Sequence, residues 1–459
     1  MSSEDTTASD KPARKKIGVL IPIAVTGLVV LLLVIALFAA WQRRNAARID
    51  DQIKQMRAAG EPFTPADMES FYRLPAGRED CTQLYLAACL PLDGQDFSTA
   101  AANLPIVGAN NHSVPPLPGQ PWSDLEAVEA FLQEYQRSLD LLHEAARRGG
   151  GARYPTDFSQ GINMLLPHAQ NLRSAARMLQ LQALARAHRG DAHGAAESIR
   201  AMWRAGESLE YEPIIISQLV RVAIGGMAAA QLQDFLPVVD FSDNDLRMLQ
   251  AEFRRYDGQA AIGRSLRGER AIGLIAFDDL GNTNPQLASL PGMRLMLVAD
   301  KAYYLEQMSR LIEAGDAELP ASRTQLQKID SEIAQAISGS KVQKLGKIMT
   351  AMLIPALSAA TDANYRAVAR CRVIDAALAA ELYRRQQGTF PAKLDDLVPE
   401  FMPAVPLDPF TGTPLKMAVR GSNLVIYSVG ADNLDDGGKE DQRGGKPDVV
   451  FTLSLPDGS

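Results

Sequence analysis

The sequence predicts a mainly α-helical protein: a helical bundle behind one N-terminal transmembrane helix, closed by a small α+β module at the C-terminus. Three observations predict it. The run 17–41, IGVLIPIAVTGLVVLLLVIALFAAW, carries no charged residue. The middle of the chain is rich in alanine, places its apolar residues at helical spacing and is poor in aromatics, which make up 6% of the sequence. The last stretch alone combines turn chemistry with short β-prone runs.

As a helix, 17–41 reaches roughly 37 Å, enough to cross a bilayer. It is longer than a cleavable signal's apolar region and ends in Phe38-Ala39-Ala40-Trp41-Gln42-Arg43-Arg44, so it reads as an uncleaved signal anchor. A buried core helix is the rival reading, but the basic flanks favour insertion. Lys11, Arg14, Lys15 and Lys16 precede the run, and Arg43, Arg44, Arg48, Lys54 and Arg57 follow it, so charge alone does not set the orientation. Long C-terminal domains are translocated with little regard to such charges. The expectation is therefore a cytoplasmic tail over 1–16, an anchor in the cytoplasmic (inner) membrane, and a single-pass protein with its bulk in the periplasm.

The net charge of −7 and a pI near 5.5 offer no basic face for nucleic acid. Cys81 and Cys89 would sit roughly 12 Å apart on a continuous helix, too far for a disulfide. With Cys371 they read as small buried hydrophobes.

Behind the anchor, 45–59 reads as a charged helix, a stalk, stopped by Gly60-Glu61-Pro62. The Pro- and Gly-rich stretch 104–121 is a long loop. Ser123 or Asp124 then caps a helix in which Leu125, Val128, Phe131, Leu132, Tyr135, Leu139 and Leu142 recur at helical spacing up to Gly149. Leu172, Ala176, Leu179 and Ala183 form one apolar stripe, and Ala192, Ala195, Ile199, Met202, Gly206 and Leu209 form another. Gly190 ends the first helix of this pair and Asp191 caps the second. The hairpin resembles a single tetratricopeptide-like unit, without a second copy at the repeat spacing. Pro213 opens a run apolar on most sides, expected in the bundle core. The pattern over 262–320 is less regular, and 282–291 reads as loop. An α-helical extracytoplasmic domain is thus expected over 42–344.

From 345 a long helix runs to Gly388, and Thr389-Phe390-Pro391 turns the chain. Turn chemistry follows at Asp408-Pro409 and Thr411-Gly412-Thr413, then β-prone runs at 415–419 and 423–429. This order, with Ile354-Pro355-Ala356-Leu357, the turn Asp408-Pro409-Phe410-Thr411-Gly412-Thr413-Pro414 and Tyr427-Ser428-Val429-Gly430-Ala431-Asp432 before an acidic loop, resembles the soluble domain of type IV pilins, most closely the major pseudopilin of type II secretion. The resemblance covers 345–459 and implies a pseudopilin-like α+β module. The helix begins in mid-chain and lacks the processed leader, so a role as a pilus subunit is not implied.

In that family the loop after the strands binds calcium, and the resemblance implies a structural Ca²⁺ held by Asp432, Asp435, Asp436, Asp441 and Asp448, with Glu440 nearby and the Val429 carbonyl able to join. Hard carboxylate oxygens suit that ion. An EF-hand reading fails, because Leu434 stands at position three and Arg443 at position twelve. A solvated acidic turn is the rival.

Catalytic signals are weak. The histidines are His112, His143, His168, His188 and His193, and only His188, Asp191 and His193 are close, across a helical turn where Asp191 serves as cap and both rings are expected exposed. Arg189-Gly190-Asp191 is read as part of that turn. Ser338-Gly339-Ser340-Lys341 has the Ser-x-x-Lys spacing without its companion motifs, and no nucleophile elbow, phosphate loop, His-Glu-x-x-His or Cys-x-x-Cys occurs. The function expected is a non-enzymatic, membrane-anchored envelope protein with a helical interaction domain, linked to type II secretion or pilus-like machinery. Its partners would be the membrane and envelope proteins, with no small-molecule substrate. The alternative is a membrane-anchored hydrolase with a site in the helical domain.

Overall fold

The computed structural model describes residues 17–283, 293–338, 347–439 and 448–454. Among them are fourteen α-helices and one three-stranded antiparallel sheet. Helix α1, Ile17–Ala58, is unbroken. From Val25 to Leu37 its aliphatic side chains are exposed, Leu37 by 71%, so the apolar surface finds no cover among the described residues. That surface suits lipid rather than water.

Beyond Trp41 the same helix enters the body. Asn45 and Met56 are buried, Met56 packs with Leu274 and Leu305, and the Ser309 hydroxyl donates to Gln52 at 2.8 Å. The expected stalk is therefore corrected: this segment has a packing face and is a structural helix of the body. Gly60 takes φ 68° at its end, and Glu61 is held by Arg267 at 2.8 Å and by Arg270.

Short helices follow: α2 Pro65–Phe71, α3 Thr82–Cys89 and α4 Gln95–Ala101. The single helix expected after Asp124 is two, α5 Leu125–Glu134 and α6 Gln136–Arg148. They break at Tyr135, whose ring packs on Phe97 and Phe131 at 5.2 and 5.0 Å. The three cysteines are free and buried.

The hairpin of α7 Pro167–His188 and α8 Ala192–Glu207 follows its sequence signals closely. Gly190 takes φ 75°, and the Asp191 carboxylate accepts the Gly194 N–H at 2.9 Å. Leu172, Leu179, Ile199 and Met202 are wholly buried between the two helices and their neighbours. Helix α9, Ile215–Phe235, packs on α7, α8, α11 and the last long helix, which leaves part of its surface uncovered. Ile216, Ala223 and Ala230 there are exposed, so the run is half core and half surface. Helix α10, Asp243–Arg254, starts at a Ser242–Asp245 capping box.

The irregular stretch resolves into α11 Gly258–Thr283 and α12 Met293–Asp316, so helix replaces loop through residue 283, while 284–292 lie outside the described residues. The sequence pattern misleads because α11 carries Gly258, Gly263, Gly268 and Gly273, poor helix formers that serve close packing. A Cβ at position 268 would stand 1.8 Å from the Pro213 carbonyl oxygen. Helix α13, Ala321–Ser338, completes this layer.

The last helix, α14 Ile348–Gln387, is stopped by Gly388 at φ 77°. Strands β1 Lys416–Arg420, β2 Asn423–Ser428 and β3 Val449–Ser454 form the sheet in the order β1-β2-β3, and α14 packs on β2 and β3. Strands β1 and β2 match the expected runs. Strand β3 is an addition that pairs Tyr427 with Val450 across the ladder. One apolar core joins Leu179 and Ile199 in the bundle to Ile374 and Leu378 on α14 and to Ile426 and Phe451 in the sheet. The expected boundary between 344 and 345 lies outside the described residues.

Candidate functional site

The acidic loop leaves β2 and rejoins the sheet at β3. Gly430, Asn433, Gly437 and Gly438 all take positive φ, which folds the chain into tight turns. Asp432 is exposed and accepts the Leu434 N–H at 3.0 Å. Asp435 accepts the Gly437 N–H at 2.9 Å and pairs with Lys416 at 2.5 Å. A hydrogen bond from Lys416 holds the Asp435 carboxyl below the usual carboxylate range. Burial, aided by a hydrogen bond to Asp435, pushes the Tyr427 hydroxyl up to about 12. Asp436 is exposed.

Asp448 is different. It is buried at the start of β3, its Oδ2 accepts the Gly438 N–H at 2.7 Å, and its Oδ1 has no partner among the described residues. Burial raises its pKa, and the neighbouring Asp436 and Asp435 raise it further. The structure thus draws Asp435, Asp436 and Asp448 around the Gly437-Gly438 turn and leaves Asp432 engaged with its own backbone. Among the described residues no three acidic, His or Cys side chains form a ligand set, and Glu440 and Asp441 lie outside those residues.

Asp408, which the sequence offered only as a turn residue, links the module together. Its buried carboxylate accepts the Phe410 and Val429 N–H groups, each at 2.8 Å, and so ties the Asp-Pro-Phe-Thr-Gly turn to the end of β2. The Asp-Pro start and the glycine four residues on, Gly412 at φ 73°, were its signal.

Between α9, α14 and β3 lies an open cleft of about 770 Å³. Ala223, Gly226 and Ala230 form its α9 wall, and Val449, Val450 and Phe451 form the opposite side. Arg366 and Arg370, one turn apart on α14, reach into it, and neither has a carboxylate within ion-pair distance among the described residues. Asp234 also lines the cleft, its pKa raised by burial.

A second pocket, about 450 Å³, lies against α3 and the start of α7. His168 on its wall is buried, gives Nε2 to both oxygens of the wholly buried Glu212 at 3.0 Å, and stacks on Tyr154 at 4.5 Å. Sequence reasoning missed this pair because its members lie far apart along the chain. Cys89, on the same wall, is pushed up to about 12 by burial, so it stays a thiol near neutrality.

The other histidines do not converge on one metal. His188 is half-buried against Trp122 and meets the Pro116 carbonyl oxygen at 3.1 Å, which corrects the expected exposure, while the exposed His193 bonds Asp245 at 2.7 Å. The Ser-x-x-Lys match falls at 338–341, where only Ser338 is among the described residues. No family model matches the chain, and no curated protein or solved structure shows a significant match to it.

Proposed function

We propose that the chain is a single-pass, membrane-anchored, non-enzymatic protein of the cell envelope. Its helical body serves interaction outside the cytoplasm, and its pilin-like C-terminal module carries an acidic loop ordered by calcium. The observation that carries the anchoring is α1, whose uncovered aliphatic surface runs without interruption into contacts buried in the body. The pilin likeness draws support from a long helix laid on a small antiparallel sheet and from the Asp408 turn, which links to type II secretion or pilus-like machinery by resemblance alone.

For calcium the support is the buried, unpartnered Oδ1 of Asp448 beside Asp435 and Asp436. The ion would have to draw these three carboxylates together, with Asp432 adding a ligand, and in doing so would relieve their mutual repulsion and stiffen a loop too polar to bury itself. The test is a thermal melt of the full chain in detergent with calcium or with chelator. Calcium at about millimolar concentration raises the melting temperature, and Asp448→Asn abolishes that rise. An identical melt with and without calcium would sink the ligand assignment.

One observation favours a second reading. The His168–Glu212 pair beside a pocket has the carboxylate–imidazole arrangement of a general base, which a membrane-anchored hydrolase would use on a bound water. Hydrolysis of a soluble ester that is lost in His168→Ala would move the assignment to that class.

A further inference from the structure

Strand β3 is the sheet's outer strand: it pairs with β2 alone, so its other edge offers backbone N–H and C=O groups with no strand partner among the described residues. The opposite edge is guarded. Strand β1 carries Lys416, paired with Asp435, and Arg420, which bonds the Gly437 carbonyl. Strand β3, VVFTLS, has no charge at all. An uncharged edge invites pairing with another chain unless it is covered or used.

The surroundings of β3 are shaped for use. The cleft runs along Val449, Val450 and Phe451, and the facing wall of α9 is built from small residues at helical spacing, Ala223, Gly226 and Ala230. Gly226 is recessed where Arg370 enters: a Cβ there would lie 2.9 Å from the Arg370 Nη1. Arg366 and Arg370 bring two guanidinium groups without carboxylate partners among the described residues. Two acids, Asp234 and Asp448, also line the cleft, and neither is within ion-pair distance of an arginine there. The arginines' fork geometry is suited to bidentate capture of a carboxylate.

We propose that this cleft binds an extended, acidic segment of a partner polypeptide, which adds to β3 as a fourth strand and sets its carboxylates on Arg366 and Arg370. Main-chain pairing supplies the affinity and the arginines supply selectivity. The proposal rests on the interaction reading and not on the calcium assignment; because Asp448 lines the cleft, binding is measured in chelator, where failure of the calcium assignment leaves the proposal standing.

The probes are a fluorescein-labelled peptide of alternating valine and glutamate, its valine and lysine counterpart, and the acidic peptide N-methylated on every second amide in either phase. Anisotropy is read on the full chain in detergent. The acidic peptide binds, the lysine peptide binds more weakly by about tenfold, and one methylation phase abolishes binding while the other spares it. The double variant Arg366→Glu, Arg370→Glu reverses the preference, a gain for the lysine peptide that misfolding would not produce. Absence of binding, equal binding in both methylation phases, or an unchanged preference in the double variant each overturns the proposal. So does sedimentation showing that the cleft is closed by a second copy of the chain.

Discussion

Glu269 on α11 accepts the Ile215 N–H at 2.8 Å and so caps the start of α9. Burial pushes its carboxyl up to about 7. The folded chain therefore keeps this proton to a higher pH than the unfolded chain does. The resulting stability is fully present below the ordinary glutamate range and is lost as pH rises through about 7. Melting temperature should fall between about pH 5 and pH 8, and Glu269→Gln should flatten that fall and melt higher at the alkaline end. An unchanged slope in the variant would remove Glu269 as its cause. Asp191 as a helix cap was readable one residue at a time, because its partner is three residues away. Glu269, the His168–Glu212 pair and the unpartnered oxygen of Asp448 were not, since each depends on burial or on residues brought together from distant elements.

Elements were legible where the chain's own periodicity made them. The α7–α8 hairpin, the long α14 ended at Gly388 and strands β1 and β2 stand where turn residues and apolar spacing put them. Helix α11 was hidden by its glycines, whose reason lies in tertiary contact: the Pro213 carbonyl packs where a side chain on Gly268 would sit. Gly268→Ala should raise the intrinsic propensity of α11 yet destabilise the protein by about 2 kcal/mol, measured by denaturant unfolding. A neutral or stabilising result would show that Pro213 and α11 do not approach this closely. Strand β3 escaped because its alternation is confined to Phe451-Thr452-Leu453-Ser454, too short a run to stand out until β2 is there to pair with.

At the scale of the whole molecule, α1 joins an exposed apolar surface to the packed body. Its first half presents an uncovered apolar surface, and its second half is packed into the body through Met56 and Gln52, so no free stalk intervenes between the apolar segment and the body. The bundle, α14 and the sheet share one apolar core, which couples the C-terminal α+β module to the helical body rather than leaving it hanging from a linker. The sequence showed the apolar helix plainly, as an uncharged run, but not its continuation into the fold, because charged residues on the outer face of 45–59 mask a narrow packing stripe. We propose that this helix anchors the chain and leaves the body outside the cytoplasm. The most direct test combines alkaline extraction of membranes with protease added to intact spheroplasts. The chain should stay with the membrane pellet and lose everything beyond the anchor to the protease. Release into the soluble fraction, or a body protected from digestion until the membrane is opened, would contradict it.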